Sequence, residues 1–439
     1  MHRPFLIGLA PIGYSETNNT PQRNSMMGQS TAKPRRVLFI SNGHGEDNHS
    51  SFIIRRLQEM APDIDIAAMP IVGLGHAYQR LNIPILCPTK ELPSGGFTYA
   101  NRWLLLKDIQ AGLLGLTLRQ IRAIRKFGPQ FDLVHATGDA VGQISAYLTG
   151  RPFISFISCL SALYEGHLQT DLPLRLAVRS RRCRALVTRD PLTAEDLKRQ
   201  GFSKVHFGGI PALDWLVPTG RDLQLQGDGP VVALLPGSRI PEAMNNFKLQ
   251  MRFVREAVRL LGPQIQFRAA LVPTLMAEVG TLAADMGWQY EAGWLTSHLE
   301  NGDKAEIRCY DDAFSDIVNR ADLVIGMAGL AVAQSVALGK PVIQIPGKGP
   351  QFSYAFAEAE NRMLGPSVQT IGVGPANDDT LREAAQCLRR TLNDQTYRDQ
   401  CAVQGRSRLG APGASTRIAQ LILDNLEGSE SDQRVLSTV

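Results

Sequence analysis

Short apolar runs, each closed by a glycine-rich or polar turn and followed by an amphipathic stretch, recur along the chain. The first is Arg35-Arg36-Val37-Leu38-Phe39-Ile40-Ser41, which ends at Asn42-Gly43. It reads as a strand buried on both faces. A helical pattern over Ser50–Met60 and a strand over Asp63–Met69 follow. The alternation continues with strands at Phe131–Ala136, Pro152–Ile157, Ala185–Thr188 and Lys204–Phe207, and helices at Ala140–Leu148 and Thr193–Gln200. Residues 215–229 are polar and rich in Gly and Pro, as in a linker. The pattern then restarts with strands at Val231–Leu235, Ile265–Val272, Ala321–Gly326 and Pro341–Ile345. Helices are expected at Asn246–Leu261 and Leu330–Leu338, and near 379–393 and 414–426. Alternating strands and helices imply parallel sheets covered on both faces. Two such units in tandem predict an α/β protein of two Rossmann-like domains facing an interdomain cleft.

The expected organisation is a flexible tail over 1–34, a first domain over 35–214, the linker at 215–229, a second domain over 230–427 and a polar tail over 428–439. The opening MHRPFLIGLAPIGY has a short apolar part interrupted by Pro11 and lacks a small-x-small cleavage site. Met26 and Met27 are alternative starts.

Composition narrows the class. The 439 residues are 44% hydrophobic and 20% charged, which excludes a disordered or fibrous chain. Net charge is +5, from 46 basic and 41 acidic residues, and suits an anionic ligand or membrane surface. No aromatic–basic motif of a nucleic-acid module is present, so no nucleic-acid partner is expected. The six cysteines are scattered without a Cys-x-x-Cys, so neither zinc nor a disulfide framework is indicated. A reducing cytosol is the simplest compartment. No metal and no cofactor is implied, and Asp63-Ile64-Asp65 lies in a strand-like alternation.

Three loops carry candidate chemistry. Gly43-His44-Gly45-Glu46-Asp47 follows the first strand and opens a helix. Its glycines allow close approach and the helix start favours anions. Glu46 and Asp47 equally suit simple complementation of the helix dipole. Leu234-Leu235-Pro236-Gly237-Ser238-Arg239 offers backbone N–H groups, a hydroxyl and a guanidinium able to grip a phosphate oxygen pair. Ala321–Pro341 is strand, small-residue turn and helix. Gly329 and Leu330 open that helix as a second anion cradle, and Gln334 is its extended polar group, suited to a ribose hydroxyl or to solvent.

Residues 36–425 resemble the GT-B glycosyltransferases related to lipid-A-disaccharide synthase. They are similar, more distantly, to the peptidoglycan GlcNAc transferase. The family pattern S-G-D-x-H resembles Gly45-Glu46-Asp47-Asn48-His49. L-L-P-G-S-R is intact at 234–239 and L-V-P at Leu271-Val272-Pro273. G-H-P-x-x-D resembles Gly209-Ile210-Pro211-Ala212-Leu213-Asp214. The acidic residue before the acceptor region resembles Asp139, and the peptidoglycan family's Asp-Asp resembles Asp311-Asp312. Three departures stand out: Gln334 replaces a Glu, Ile210 replaces a His, and Ser158–Tyr164 replaces an aromatic acceptor segment.

The resemblance implies an inverting transfer of a sugar, of the N-acetylglucosamine type, from a UDP-sugar to a lipid-linked or lipid A-like acceptor. Donor contacts fall on Gly237, Ser238, Arg239, Gly329, Leu330 and Gln334. Candidates for the base are Asp139 first, then His44 and Asp47. Gly43, Gly45 and His49 are expected in the cleft, and His135 as a packed strand histidine. Apolar residues and Arg119, Arg122, Arg125 and Lys126 crowd residues 97–127, as in a helix resting on an anionic leaflet or in a core helix with cations at its end. The expected location is cytoplasmic, peripheral on the inner face of the plasma membrane. A UDP-sugar 2-epimerase and a non-catalytic nucleotide-sugar-binding protein are the alternatives.

Overall fold

A computed structural model describes residues 34–91, 108–327, 329–348 and 353–436. The expected tail before Pro34, and residues 97–107 of the expected membrane element, lie outside the described residues. The first sheet has six parallel strands in the order β2-β1-β3-β4-β5-β6. They are β1 Arg36–Ser41, β2 Asp65–Pro70, β3 Leu133–Thr137, β4 Phe153–Ile157, β5 Cys183–Thr188 and β6 Val205–Phe207. The second has eight strands in the order β14-β13-β12-β7-β8-β11-β10-β9. These are β7 Val231–Leu235, β8 Gln266–Ala270, β9 Gln289–Glu291, β10 Trp294–His298, β11 Lys304–Tyr310, β12 Leu323–Gly326, β13 Val342–Gln344 and β14 Val368–Thr370. Six of them are parallel, and β10 and β9 extend the sheet antiparallel from β11. This antiparallel edge was not expected from the sequence.

Both sheets turn back on themselves, between β1 and β3 in the first and between β7 and β12 in the second. Helices leave opposite faces at such a point and open a crevice beyond the carboxyl ends of the strands. Helix α1, His44–Met60, leaves β1. Leu113–Phe127 forms α2, Ala140–Leu148 forms α3 after β3, and Leu172–Arg179 forms α4. In the second lobe, Gly329–Ala337 forms α5 after β12 and Tyr354–Leu364 forms α6.

The chain closes with α7, Ala414–Leu436, which returns to the first lobe. Ile418, Ile422, Leu423 and Leu426 join the core formed by Val37, Phe39 and Ile154 on the first sheet. Each such side chain contributes about 1.5–3 kcal/mol on full burial. The stretch 230–427 therefore supplies core to both lobes, and the residues expected as a polar tail continue this helix to Leu436. Asp214 fastens the crossing: its carboxylate accepts from the backbone N–H groups of Gly413, Ala414 and Ser415 at the start of α7.

Candidate active site

A cavity of about 550 Å³ lies beyond the carboxyl ends of the strands. Asn42, Gly43, His44 and Glu46 enter its wall after β1, and Asp139, Ala140 and Val141 after β3. Cys159 and Leu160 enter after β4, and Gln169, Asp171 and Leu174 come from the approach to α4 and its first turn. Arg239, two residues beyond Gly237 after β7, comes from the second lobe. The wall thus joins the switch point of the first sheet to the loop at the switch point of the second.

Asn42 and Asp139 lock the first switch point. Asn42 Nδ2 donates to Asp139 Oδ1 at 2.7 Å, and the Asp139 backbone N–H donates to Asn42 Oδ1 at 3.2 Å. Asp139 Oδ1 also accepts from the Val141 N–H at 2.9 Å, capping α3. Gly138 permits this approach: its φ is +136°, and a Cβ there would lie 1.6 Å from Asn42 Oδ1. Asp139 is thus a wall carboxylate with a fixed orientation.

His44 also lies in the wall, against the loop after β2, where a Cβ on Gly73 would meet its Cε1 at 2.4 Å. Burial and the neighbouring Arg239 charge push its pKa down, so the neutral imidazole, a proton acceptor, is favoured. Burial also lowers the Arg239 pKa, while the Glu46 and Glu242 charges oppose the shift.

Asp47 and His49 do not reach the cavity wall. Helical spacing turns them inward, with Ser50, Ile53, Ile54 and Leu57 among the buried residues of α1. Asp47 accepts from Ser41 Oγ at 2.6 Å, and Ser41 Oγ is also 2.6 Å from Tyr78 Oη. His49 meets Phe156 edge-on with ring centroids 6.1 Å apart, and burial takes its pKa down to about 3. Neither residue is set to exchange protons with a bound substrate. His135 is fully buried in β3, as expected.

On the second lobe, Gly237 adopts φ +106°, the left-handed region open to glycine, and turns the chain between β7 and Arg239. Ser238 is exposed beside it, and Gly45 has open space around its Cα. Gln334 departs from the donor expectation. It is buried, and its Nε2 donates to the Ala212 carbonyl at 3.0 Å across the lobe junction. One of its two amide N–H donors is therefore used within the protein. Leu330 packs against the second lobe's core, and Gly329 faces Glu360, whose Oε1 would lie 2.8 Å from a Cβ at 329.

Sequence reasoning missed Glu46, Asn42 and Cys159 as wall residues. The first-turn position of Glu46 suits the helix dipole, and its spacing from Asp47 sets the two carboxylates on different faces of α1. Burial pushes the Glu46 carboxyl up, and the Asp139 charge adds to the rise. Among the described residues no group of three or more His, Cys, Asp and Glu is arranged to hold a metal ion.

Two nucleotide-binding-type lobes around one cleft define the GT-B architecture, and the solved structures agree. CalG4, the calicheamicin glycosyltransferase, superposes with a TM-score of 0.60 at 15% identity, covering 90% of this chain and 99% of that one. A UDP-N-acetylglucosamine 2-epimerase gives 0.52 at 13% identity, covering 89% and 96%. No family model matches the chain. The lipid-A-disaccharide synthase of Syntrophus aciditrophicus (strain SB) is 28% identical over 261 residues, 54% of this chain and 61% of that protein. The synthase of Alkalilimnicola ehrlichii is 29% identical over 163 residues, 35% and 38% respectively. The matches thus span less than two thirds of either relative. The chain has the GT-B fold and is similar in sequence, over part of its length, to the lipid-A-disaccharide synthases.

Proposed function

We propose that the protein is an inverting glycosyltransferase that moves a sugar, of the N-acetylglucosamine type, from a UDP-sugar to a lipid-linked or lipid A-like acceptor. The observation that carries this reading is the shared wall: Arg239 of the second lobe and Asp139 and His44 of the first border one cavity. In the reaction an acceptor hydroxyl attacks the anomeric carbon and the bond from that carbon to the diphosphate oxygen breaks. The hydroxyl proton passes to a base, for which Asp139 and His44 are the candidates. The growing charge on the leaving UDP falls to Arg239 and the backbone amides of Gly237 and Ser238. The names of the two relatives favour a lipid acceptor. A transferase converts a lipid extract plus a UDP-sugar into a glycosylated lipid of higher mass while UDP accumulates, as mass spectrometry would read. A 2-epimerase alters the donor sugar without an acceptor, visible by NMR. Finding neither product with any UDP-sugar, in a chain that still binds UDP, would leave the binding-protein reading.

The acceptor side of the first lobe supports a membrane-facing role. Helix α2 buries Leu116, Gln120, Ala123 and Ile124 and exposes Leu114, Leu118, Arg119, Arg122, Arg125 and Lys126. It is therefore a core helix on one face and an apolar and basic surface on the other. Leu172 and Leu176 of α4 are also exposed, at 69% and 65%, beside the wall residues Asp171 and Leu174. The reading is a peripheral contact on the cytoplasmic leaflet, and no helix among the described residues is long and apolar enough to cross a membrane. The double variant L114E/L118E should bind phosphatidylglycerol vesicles at least about tenfold more weakly in sedimentation. Unchanged binding would remove α2 from the membrane contact.

A further inference from the structure

Glu46 has no role in the scheme above, yet it stands in the same wall as Arg239. Its carboxylate folds back over Gly43, where a Cβ would lie 2.2 Å from Oε2. It is held by its own backbone N–H and by the Cys159 thiol. The Glu46 and Glu242 charges both act on Arg239. One cavity is thus lined both by a carboxyl of the protein's own and by the guanidinium that the proposed function assigns to a diphosphate.

Two anions cannot share one cation in a partly enclosed site without cost. The other charges around Glu46 offer no relief. Asp139, at the start of α3, repels it, and Glu46 in turn acts on the buried Asp47 and Tyr78. A diphosphate on Arg239 takes that counter-charge away and adds negative charge of its own. A protonated Glu46 escapes the repulsion and gains an O–H donor that a phosphate oxygen accepts.

We propose that Glu46 takes up a proton from solvent when a nucleoside diphosphate occupies Arg239, so that donor binding is coupled to proton uptake and tightens as pH falls. This rests on Arg239 being the diphosphate anchor. No bond other than the O–H of Glu46 is made, and the buffer supplies the proton. Burial already holds the Glu46 carboxyl above the ordinary glutamate range. His44, which also faces Arg239, gains a proton by the same field and is the competing source.

Isothermal titration calorimetry with UDP on the full chain, in buffers of different ionisation enthalpy from pH 5.5 to 8.5, counts the protons. The wild type should show net uptake and an affinity that weakens with rising pH. Glu46→Gln should lose most of the uptake and bind UDP about tenfold more tightly at pH 8. Glu46→Asp should keep the uptake with a shifted midpoint, and His44→Asn should retain the Glu46 contribution. Equal affinity and an equal proton count in wild type and Glu46→Gln would overturn the proposal, as would loss of all uptake in His44→Asn. An Arg239→Ala variant that binds UDP as well as the wild type would instead sink the anchor itself.

Discussion

Arg239→Ala should weaken UDP binding by about 30- to 100-fold, equivalent to about 2–3 kcal/mol, the range for hydrogen bonds made to charged groups. Arg239 is the second lobe's one contribution to the wall residues of the cavity described here. Its position follows from Gly237, whose left-handed backbone turns the chain sharply after β7. Gly237 and Ser238 offer backbone amides but no charge, so the guanidinium supplies most of the attraction for the diphosphate. Part of the loss is offset, because Arg239→Ala also removes a charge that opposes the upward push of burial on the Glu46 carboxyl. Arg239→Lys should fall between the two, since an ammonium keeps the charge and loses the two-pronged geometry. Calorimetry with UDP reads all three proteins. Wild-type affinity in the alanine variant would mean that the Pro-Gly-Ser-Arg turn does not hold the nucleotide.

The loops were legible because their signal is local. An apolar run ending in Asn-Gly or Pro-Gly-Ser-Arg marks the carboxyl end of a buried strand, and α/β topology gathers such ends into one crevice. Which side chains enter the crevice depends on helical phase. Asp47 lies seven residues before Ile54, two turns along the buried face of α1, so its inward orientation was readable from spacing alone. Gln334 was not readable: its partner carbonyl, Ala212, lies 122 residues away. The apolar spacing of Ile418, Ile422 and Leu426 announces a buried helix face but not which lobe receives it, and the crossing of α7 is a tertiary fact. Likewise β9 is exposed throughout, so no apolar pattern announced the antiparallel edge.

The buried carboxylates set a second large effect, on stability. Asp47 is 2% exposed, and burial above all raises its pKa from an ordinary 3.8 to about 7. The Glu46 charge adds to the rise, and the Ser41 hydrogen bond opposes it. Glu360, buried in α6 with Gln344 Nε2 donating to it, is likewise raised by burial to about 7. Between pH 4 and 7 the folded chain holds protons on these groups that the unfolded chain has released. The stabilisation they give is therefore full below pH 4 and is lost as pH rises through 7. The rises correspond to at most about 4 kcal/mol for Asp47 and about 3 kcal/mol for Glu360 at pH 8. Asp47→Asn keeps an acceptor for Ser41 and carries no charge to desolvate. It should raise the urea midpoint most at pH 8, less than half as much at pH 5 and little at pH 4, and so flatten the fall in stability across that range. Glu360 keeps a residual slope in that variant, and D47N/E360Q should remove most of it. If Asp47→Asn is no more stable than wild type at pH 8, the carboxylate is ionised at little cost beneath α1, and its proton is not held by burial.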